Sequence, residues 1–176
     1  MNECLNNKAS KIKLIATDVD GVLTDGSIFI EGDFKEPFGK FSIYDGMGIS
    51  IAHKCDLQIV IISGRKSKCS EARFRDLGVD EVYTGIDNKK EKLFEIVNRL
   101  NIELDNVAYI GDDLVDLGVM SIVGLTVAPK NAMPIVKERV HYIAEKKGGE
   151  GVLREVVDLI LHAQNKYDEL LKKYFE

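Results

Sequence analysis

Cysteine is sparse and unpatterned in this sequence. Cys4, Cys55 and Cys69 are odd in number and show no CxxC spacing. That argues against a disulfide framework and a zinc site, and for the reducing cytoplasm. Proline is equally scarce, at Pro37, Pro129 and Pro134, and no Pro/Gly/Ser-rich stretch marks a linker. No apolar run approaches the ~20 residues a membrane helix needs. Residues 1–13 are polar, without the apolar core of a secretory signal. Positive charge is also short: 24 Lys+Arg stand against 29 Asp+Glu, a net charge of −5. Non-specific nucleic-acid binding rests on basic surface and is not expected here. No internal repeat or low-complexity tract is visible.

What remains is the composition of one soluble domain, with 176 residues, 45% hydrophobic and 30% charged. That length buries a core without covalent staples. Short β-branched runs read as buried strands: Ile12 to Ala16, Ile59 to Ile62, Glu81 to Tyr83, Val107 to Ile110 and Gly124 to Val127. Their apolar character is near-continuous, which suggests parallel strands covered on both faces. Amphipathic stretches over residues 66–77 and 89–100 read as intervening helices. The expected fold is α/β, a doubly wound parallel Rossmann-like sheet in a single domain over residues 1–176. Residues 27–42, with a Gly32-Asp33 turn, read as an inserted β-hairpin flap rather than a cap domain. The N-terminus reads as short and frayed, and residues 152–176 as a helical tail.

In such sheets ligands bind beyond the carboxyl ends of the strands. The first strand ends in Thr17-Asp18-Val19-Asp20-Gly21, the second in Ser63-Gly64-Arg65 and the fourth in Gly111-Asp112-Asp113-Leu114-Val115-Asp116. Lys89 opens the helix after the third. Asp18 and Asp20 are two apart, so in extended backbone both face one way. A strand-end Asp often caps the next helix, but capping needs one Asp, not two with more acids on another strand end. Clustered carboxylates disfavour one another's ionisation. A hard cation with oxygen ligands resolves this, and Mg²⁺ suits one or two carboxylates plus water and a substrate phosphate. Such a set fits phosphoryl transfer, with Asp18 as nucleophile, Asp20 as acid/base, Ser63 donating to a phosphoryl oxygen and Lys89 offsetting charge.

DVDGVLTDG (18–26), IISGR (61–65), Lys89 and GDDLVD (111–116) resemble the four motifs of the haloacid dehalogenase superfamily of aspartate-nucleophile phosphatases. DxD alone or GDD alone is weak; all four in order at strand ends are specific. SIYDGMGI (42–49), SGRKSKCSEAR (63–73), GIDNK (85–89) and GGEGVLREV (149–157) are further similar to the cap-less branch that acts on phosphorylated 3-deoxy-2-ulosonates. The resemblance implies a Mg²⁺-dependent cytoplasmic homotetramer in which a neighbouring subunit closes each active site. It implies Asp18, Asp20 (through its carbonyl) and Asp112 as metal ligands. It places substrate contacts at Asp20, Ser42, Ile43, Tyr44, Asp45, Gly46, Arg65, Arg73 and Lys89. Two positions that are often basic in the branch are Ser50 and Glu150 here. An eight-carbon ulosonate 8-phosphate is the expected substrate, and a nine-carbon ulosonate 9-phosphate the alternative.

Plainer roles stand beside these. Asp45 could cap the helix that follows it, Ser63 could be an N-cap, and Arg73 could be an exposed mid-helix charge. Arg65 is expected to begin the helix after the second strand, where a cation opposes the dipole, so its presence leans towards ligand binding. Asp113 and Asp116 read as capping or supporting residues. His53, His141 and His162 lack ligand spacing, and Met47, Met120 and Met133 read as core. Receiver-type signalling domains share a similar set of groups, but their acceptor Asp ends the third strand, and no Asp follows Tyr83. Non-catalytic assembly domains are a second rival, though this chain keeps every catalytic residue.

Overall fold

The computed structural model describes residues 3–32, 36–79 and 81–175. In chain order the elements are α1 (Glu3–Ala9), β1 (Leu14–Thr17), α2 (Ile43–Lys54), β2 (Gln58–Ile62), α3 (Lys68–Asp76), β3 (Glu81–Tyr83) and α4 (Lys89–Leu100). After a 3₁₀ turn come β4 (Val107–Ile110), α5 (Leu114–Met120), β5 (Leu125–Ala128), α6 (Pro134–Lys137), β6 (Tyr142–Ile143), α7 (Val152–Ala163) and α8 (Tyr167–Phe175). The strands form one six-stranded sheet in the order β3-β2-β1-β4-β5-β6, and every pairing is parallel.

Strand parity splits the core in two. Ile15, Ile59, Ile61, Ala108, Ile110, Leu125 and Val127 face one side, against α1, α2, α7 and α8. Leu14, Ala16, Val60, Ile62, Val107, Tyr109 and Ala128 face the other, against α4, α5 and α6. Both faces are covered, which is why the strands read as continuous apolar runs instead of alternating. Order reverses at β1, which lies between β2 and β4. The crevice at the carboxyl ends of β1 and β4 is therefore the topological switch point.

Several local expectations change. Residues 3–9 form α1, anchored by buried Leu5 and Ala9, where a frayed end was expected. The tail is two helices, since Asn165 takes a left-handed conformation (φ 57°) between them. The helix expected over 66–77 begins at Lys68, with Ser67 as its N-cap. Arg65 therefore lies in the loop before it, and Ser63 caps nothing there. Within 27–42, no described residue lies in a strand, and Asp33, Phe34 and Lys35 lie outside the described residues. The segment doubles back, with the Phe29 and Phe38 rings 4.7 Å apart. An isolated two-stranded ribbon is marginal in water, and Ile28, Phe29, Ile30 and Phe38 are exposed. Met120 is buried as expected, but Met47 and Met133 are half exposed. No helix among the described residues is long and apolar enough to cross a membrane.

Ile15 lies fully buried on the central strand. Ile15→Ala should destabilise the protein by about 2–5 kcal/mol, as read by urea unfolding.

Candidate active site

Of the expected residues, Asp18, Asp20, Ser63, Arg65, Lys89 and Asp112 meet in a cleft of about 290 Å³, which Gly21, Gly64 and Asp113 also line. Ladder geometry sets the register: Thr17 pairs with Ile110, and the Asp18 amide donates to the Ile110 carbonyl at 3.0 Å. The residues that follow β1 and β4 thus leave the sheet side by side. Gly21 has φ +80°, and a Cβ there would lie 2.0 Å from Asp112 Oδ2. Only glycine lets the loop after β1 approach that carboxylate so closely.

Lys89, the first residue of α4, is almost fully buried. Its ammonium lies 2.6 Å from Asp18 Oδ2 and 2.7 Å from Asp116 Oδ1. Asp116 is saturated. Its Oδ1 also accepts from Tyr109 Oη at 2.8 Å, and its Oδ2 accepts from the Asp112 and Asp113 amides at 2.9 and 3.3 Å. Asp113 is the N-cap of α5, and Asp116 completes a capping box with it. The supporting roles read from the sequence suit both residues. The Lys89 and Tyr109 contacts of Asp116 are tertiary and leave no signature in the sequence.

Charge in the cluster is unbalanced. Burial, then the Asp116 charge, pushes Asp18 up to about 6, although Lys89 opposes the shift. Burial, then Asp116 and Asp18, pushes Asp112 up to about 7. Burial alone would lower Lys89, but Asp18 and Asp116 outweigh it and the ammonium is held above its ordinary value. Donor oxygens of Asp18, Asp112 and Asp116 lie within 4.8 Å of one another. Asp18 and Asp112 line the cleft and Asp116 does not, so those two are the carboxylates placed to take a cation, although Asp18 Oδ2 already meets Lys89 and its Oδ1 accepts from the Val19 amide at 2.7 Å. An all-oxygen set of two carboxylates beside an open cleft fits Mg²⁺.

Arg65 grips Asp20 with two parallel hydrogen bonds, of 2.8 and 2.6 Å, which makes its guanidinium still more basic. Glu36, from the 27–42 segment, lies 3.2 Å from the same guanidinium and accepts from Ser67 Oγ at 2.7 Å. Nothing in the sequence pointed to Glu36. Buried Ser63 exchanges hydrogen bonds with the Arg65 backbone at 3.2 and 3.3 Å.

The residues of the 42–46 turn and Arg73 do not line this cleft. Ser42 is the N-cap of α2, while Ile43 and Tyr44 are largely exposed. Arg73 reaches back to Gly46, where an added Cβ would lie 2.9 Å from its terminal nitrogen. The Asp45 carboxylate is buried and accepts from the Arg154 amide of α7 at 3.2 Å.

A family profile described as haloacid dehalogenase-like hydrolase matches residues 79–156. The 3-deoxy-D-manno-octulosonate 8-phosphate phosphatase of Escherichia coli K12 is 44% identical over 162 residues, 92% of this chain and 86% of that protein. The crystal structure of the enzyme of that name from Yersinia pestis superposes with a TM-score of 0.92 at 39% identity, over 96% of this chain and 90% of the other. That from Moraxella catarrhalis, in complex with a magnesium ion, a phosphate ion and a KDO molecule, gives 0.92 at 36% identity, covering 97% of both chains. Fold and sequence together define a phosphoric monoester hydrolase. The chain belongs to the haloacid dehalogenase-like hydrolases, in the family of the 3-deoxy-D-manno-octulosonate 8-phosphate phosphatases.

Because Asp18 and Asp112 are raised above the usual carboxylate value of 3.8, the metal-free fold holds extra protons that the unfolded chain has lost. Its stability should fall as pH rises from about 4 towards about 7. Protons and cation compete for the same oxygens. The thermal stabilisation by Mg²⁺ should therefore be much larger at about pH 7.5 than at about pH 5.5. Equal shifts at the two values would contradict the cluster.

Proposed function

We propose that this protein is a Mg²⁺-dependent phosphatase hydrolysing 3-deoxy-D-manno-octulosonate 8-phosphate through an aspartyl-phosphate on Asp18. The carrying observation is the open, acid-rich cleft lined by Asp18 and Asp112 beside Lys89. Asp18, Asp112 and the Asp20 carbonyl would hold the metal ion, which when bound neutralises carboxylate and phosphoryl charge. In the first step an Asp18 oxygen attacks phosphorus and the ester P–O bond breaks. The electron pair stays on the sugar oxygen, which takes a proton from Asp20. In the second, Asp20 takes a proton from water as that water attacks phosphorus. The Asp18–phosphorus bond breaks, which releases phosphate and restores the carboxylate. Lys89 and the Ser63 hydroxyl stabilise the equatorial oxygens. Arg65, fixed on Asp20, holds that carboxylate towards the cleft and sets a positive charge beside it for an anionic substrate.

Ser50 and Glu150 favour keeping a second reading. Two positions often basic in the branch carry no positive charge here, a loss that either weakens carboxylate binding or marks a shift to a nine-carbon ulosonate 9-phosphate, of different size and hydroxyl pattern. Arg65, which lines the cleft, keeps the octulosonate first. The exposed apolar residues Ile28, Phe29, Ile30 and Phe38 support a homotetramer in which a neighbour covers this segment and closes the cleft. The three unpatterned cysteines support a cytoplasmic location.

Asp18→Asn should abolish turnover with the fold intact, checked by steady-state kinetics and circular dichroism. EDTA should inactivate the enzyme and Mg²⁺ restore it. The ratio of kcat/KM for the two substrates ranks them. A preference of tenfold or more for the nine-carbon substrate, about 1.4 kcal/mol, would overturn the ranking and leave the phosphatase standing. Light scattering at micromolar concentration should report a tetramer, and a monomer would contradict the assembly.

A further inference from the structure

Helix α7 begins without a cap of its own. Its N-cap residue is Gly151, at φ 105° and ψ 32°, and no side chain caps there. Two features bar a local replacement. An L-residue is strained at that φ, and a Cβ on Gly151 would lie 3.2 Å from Tyr44 Cβ. The first turn of α7 is nonetheless buried, at Val152 and Leu153, so its free amide groups cannot all turn to water. The acceptor comes from another helix. Asp45, in the first turn of α2 and 4% exposed, accepts from the Arg154 amide at 3.2 Å. Burial pushes Asp45 up to about 6, although the amides of Arg154, Leu153 and Gly151 oppose the shift. Its Oδ2 has no full hydrogen bond among the described residues. A Cβ on Gly48, one turn further along α2, would lie 2.9 Å from Arg154 Cα. The two helices therefore meet backbone to backbone at this point.

The turn that leads into α7 reaches the metal cluster. The Gly149 amide donates to the Val22 carbonyl at 2.9 Å. A Cβ on Gly148 would lie 1.9 Å from the Gly21 carbonyl oxygen, and one on Gly21 2.0 Å from Asp112 Oδ2. From Asp45 to Asp112 the chain of contacts has no slack side chain in it: a cap, a helix start, a glycine turn, a second glycine and a carboxylate. Interiors packed this tightly transmit small displacements.

We propose that Asp45 is a positioning residue for the metal site: by capping α7 from α2, it sets the 148–151 turn against Gly21 and thereby the approach of the Asp18–Gly21 loop to Asp112. This rests on the reading that Asp18 and Asp112 hold the metal ion. The turn at 42–46 then has two separate parts, an exposed Ile43-Tyr44 edge and a buried carboxylate that serves the site from behind.

The experiment is a Mg²⁺ titration of the metal-free protein, followed by thermal shift, on wild type, Asp45→Ala, Asp45→Asn, Gly148→Ala and Asp112→Asn. Asp45→Ala removes the acceptor and should raise the half-saturating Mg²⁺ concentration tenfold or more. Asp45→Asn keeps an acceptor oxygen without the buried charge and should stay within threefold of wild type. Gly148→Ala leaves the cap intact but pushes on Gly21, and should also raise half-saturation tenfold or more; it reads the same relay if Asp45→Ala does not fold. A folded Asp45→Ala or Gly148→Ala protein with wild-type half-saturation would overturn the proposal and reduce Asp45 to a helix cap. Asp112→Asn should lose the Mg²⁺ response. A retained response there would instead overturn the metal-site reading on which the proposal rests.

Discussion

Lys89 carries its ammonium into a pocket that leaves it 4% exposed, held by Asp18 at 2.6 Å and Asp116 at 2.7 Å. A buried charge is costly unless paired and fully hydrogen-bonded. This one spans two strand ends: Asp18 leaves β1, and Asp116 lies in the first turn of the helix after β4. The Lys89 backbone starts a third segment, α4, with Asn88 as its N-cap. The ion pairs therefore require β1, β4 and α4 in their places at once. They also leave the cluster short of positive charge, with three carboxylates against one ammonium. Burial and then this imbalance push Asp18 up to about 6 and Asp112 up to about 7, and a cation would complete the site.

The cleft is open because the chain builds no cap domain over it. The 27–42 segment instead ties down through Lys40 on Asp25, Phe41 on Phe74 and Glu36, which meets Ser67 and Arg65, and Arg65 in turn meets Asp20. One guanidinium thus joins the flap to Asp20, the proposed acid/base residue. Behind the cleft the packing is backbone on backbone, through Gly21 and Gly148. The site combines an exposed apolar flap in front with a closely packed back.

The fold and the cleft were largely legible in the sequence because both rest on short-range patterns. Buried parallel strands show as β-branched runs, and the switch point follows from strand order. Motifs at strand ends then name Asp18, Asp20, Ser63, Lys89 and Asp112, all of which line one cleft. What was not legible is tertiary or marginal. α1 is short and polar, and two buried residues hold it. β6 is a two-residue edge. Arg65 was expected to begin the helix after β2, and the plainer role weighed for Asp45 was to cap the helix that follows it; neither placement held. Ser67 caps α3 and leaves Arg65 free for Asp20. Asp45 lies in the first turn of α2 and caps α7. No local pattern marks a side chain whose partner lies more than a hundred residues away.

The central claim is that Asp18 accepts the phosphoryl group, and rapid acid quench of the Asp20→Asn variant with p-nitrophenyl phosphate tests it most directly. The nitrophenolate leaves without needing a proton, while water attack lacks its base, so the intermediate should accumulate. The account predicts a burst of one nitrophenolate per active site, with phosphate mapped by mass spectrometry to the peptide carrying Asp18. Phosphate on a different residue, or slow linear turnover with no burst and no labelled protein, would contradict it.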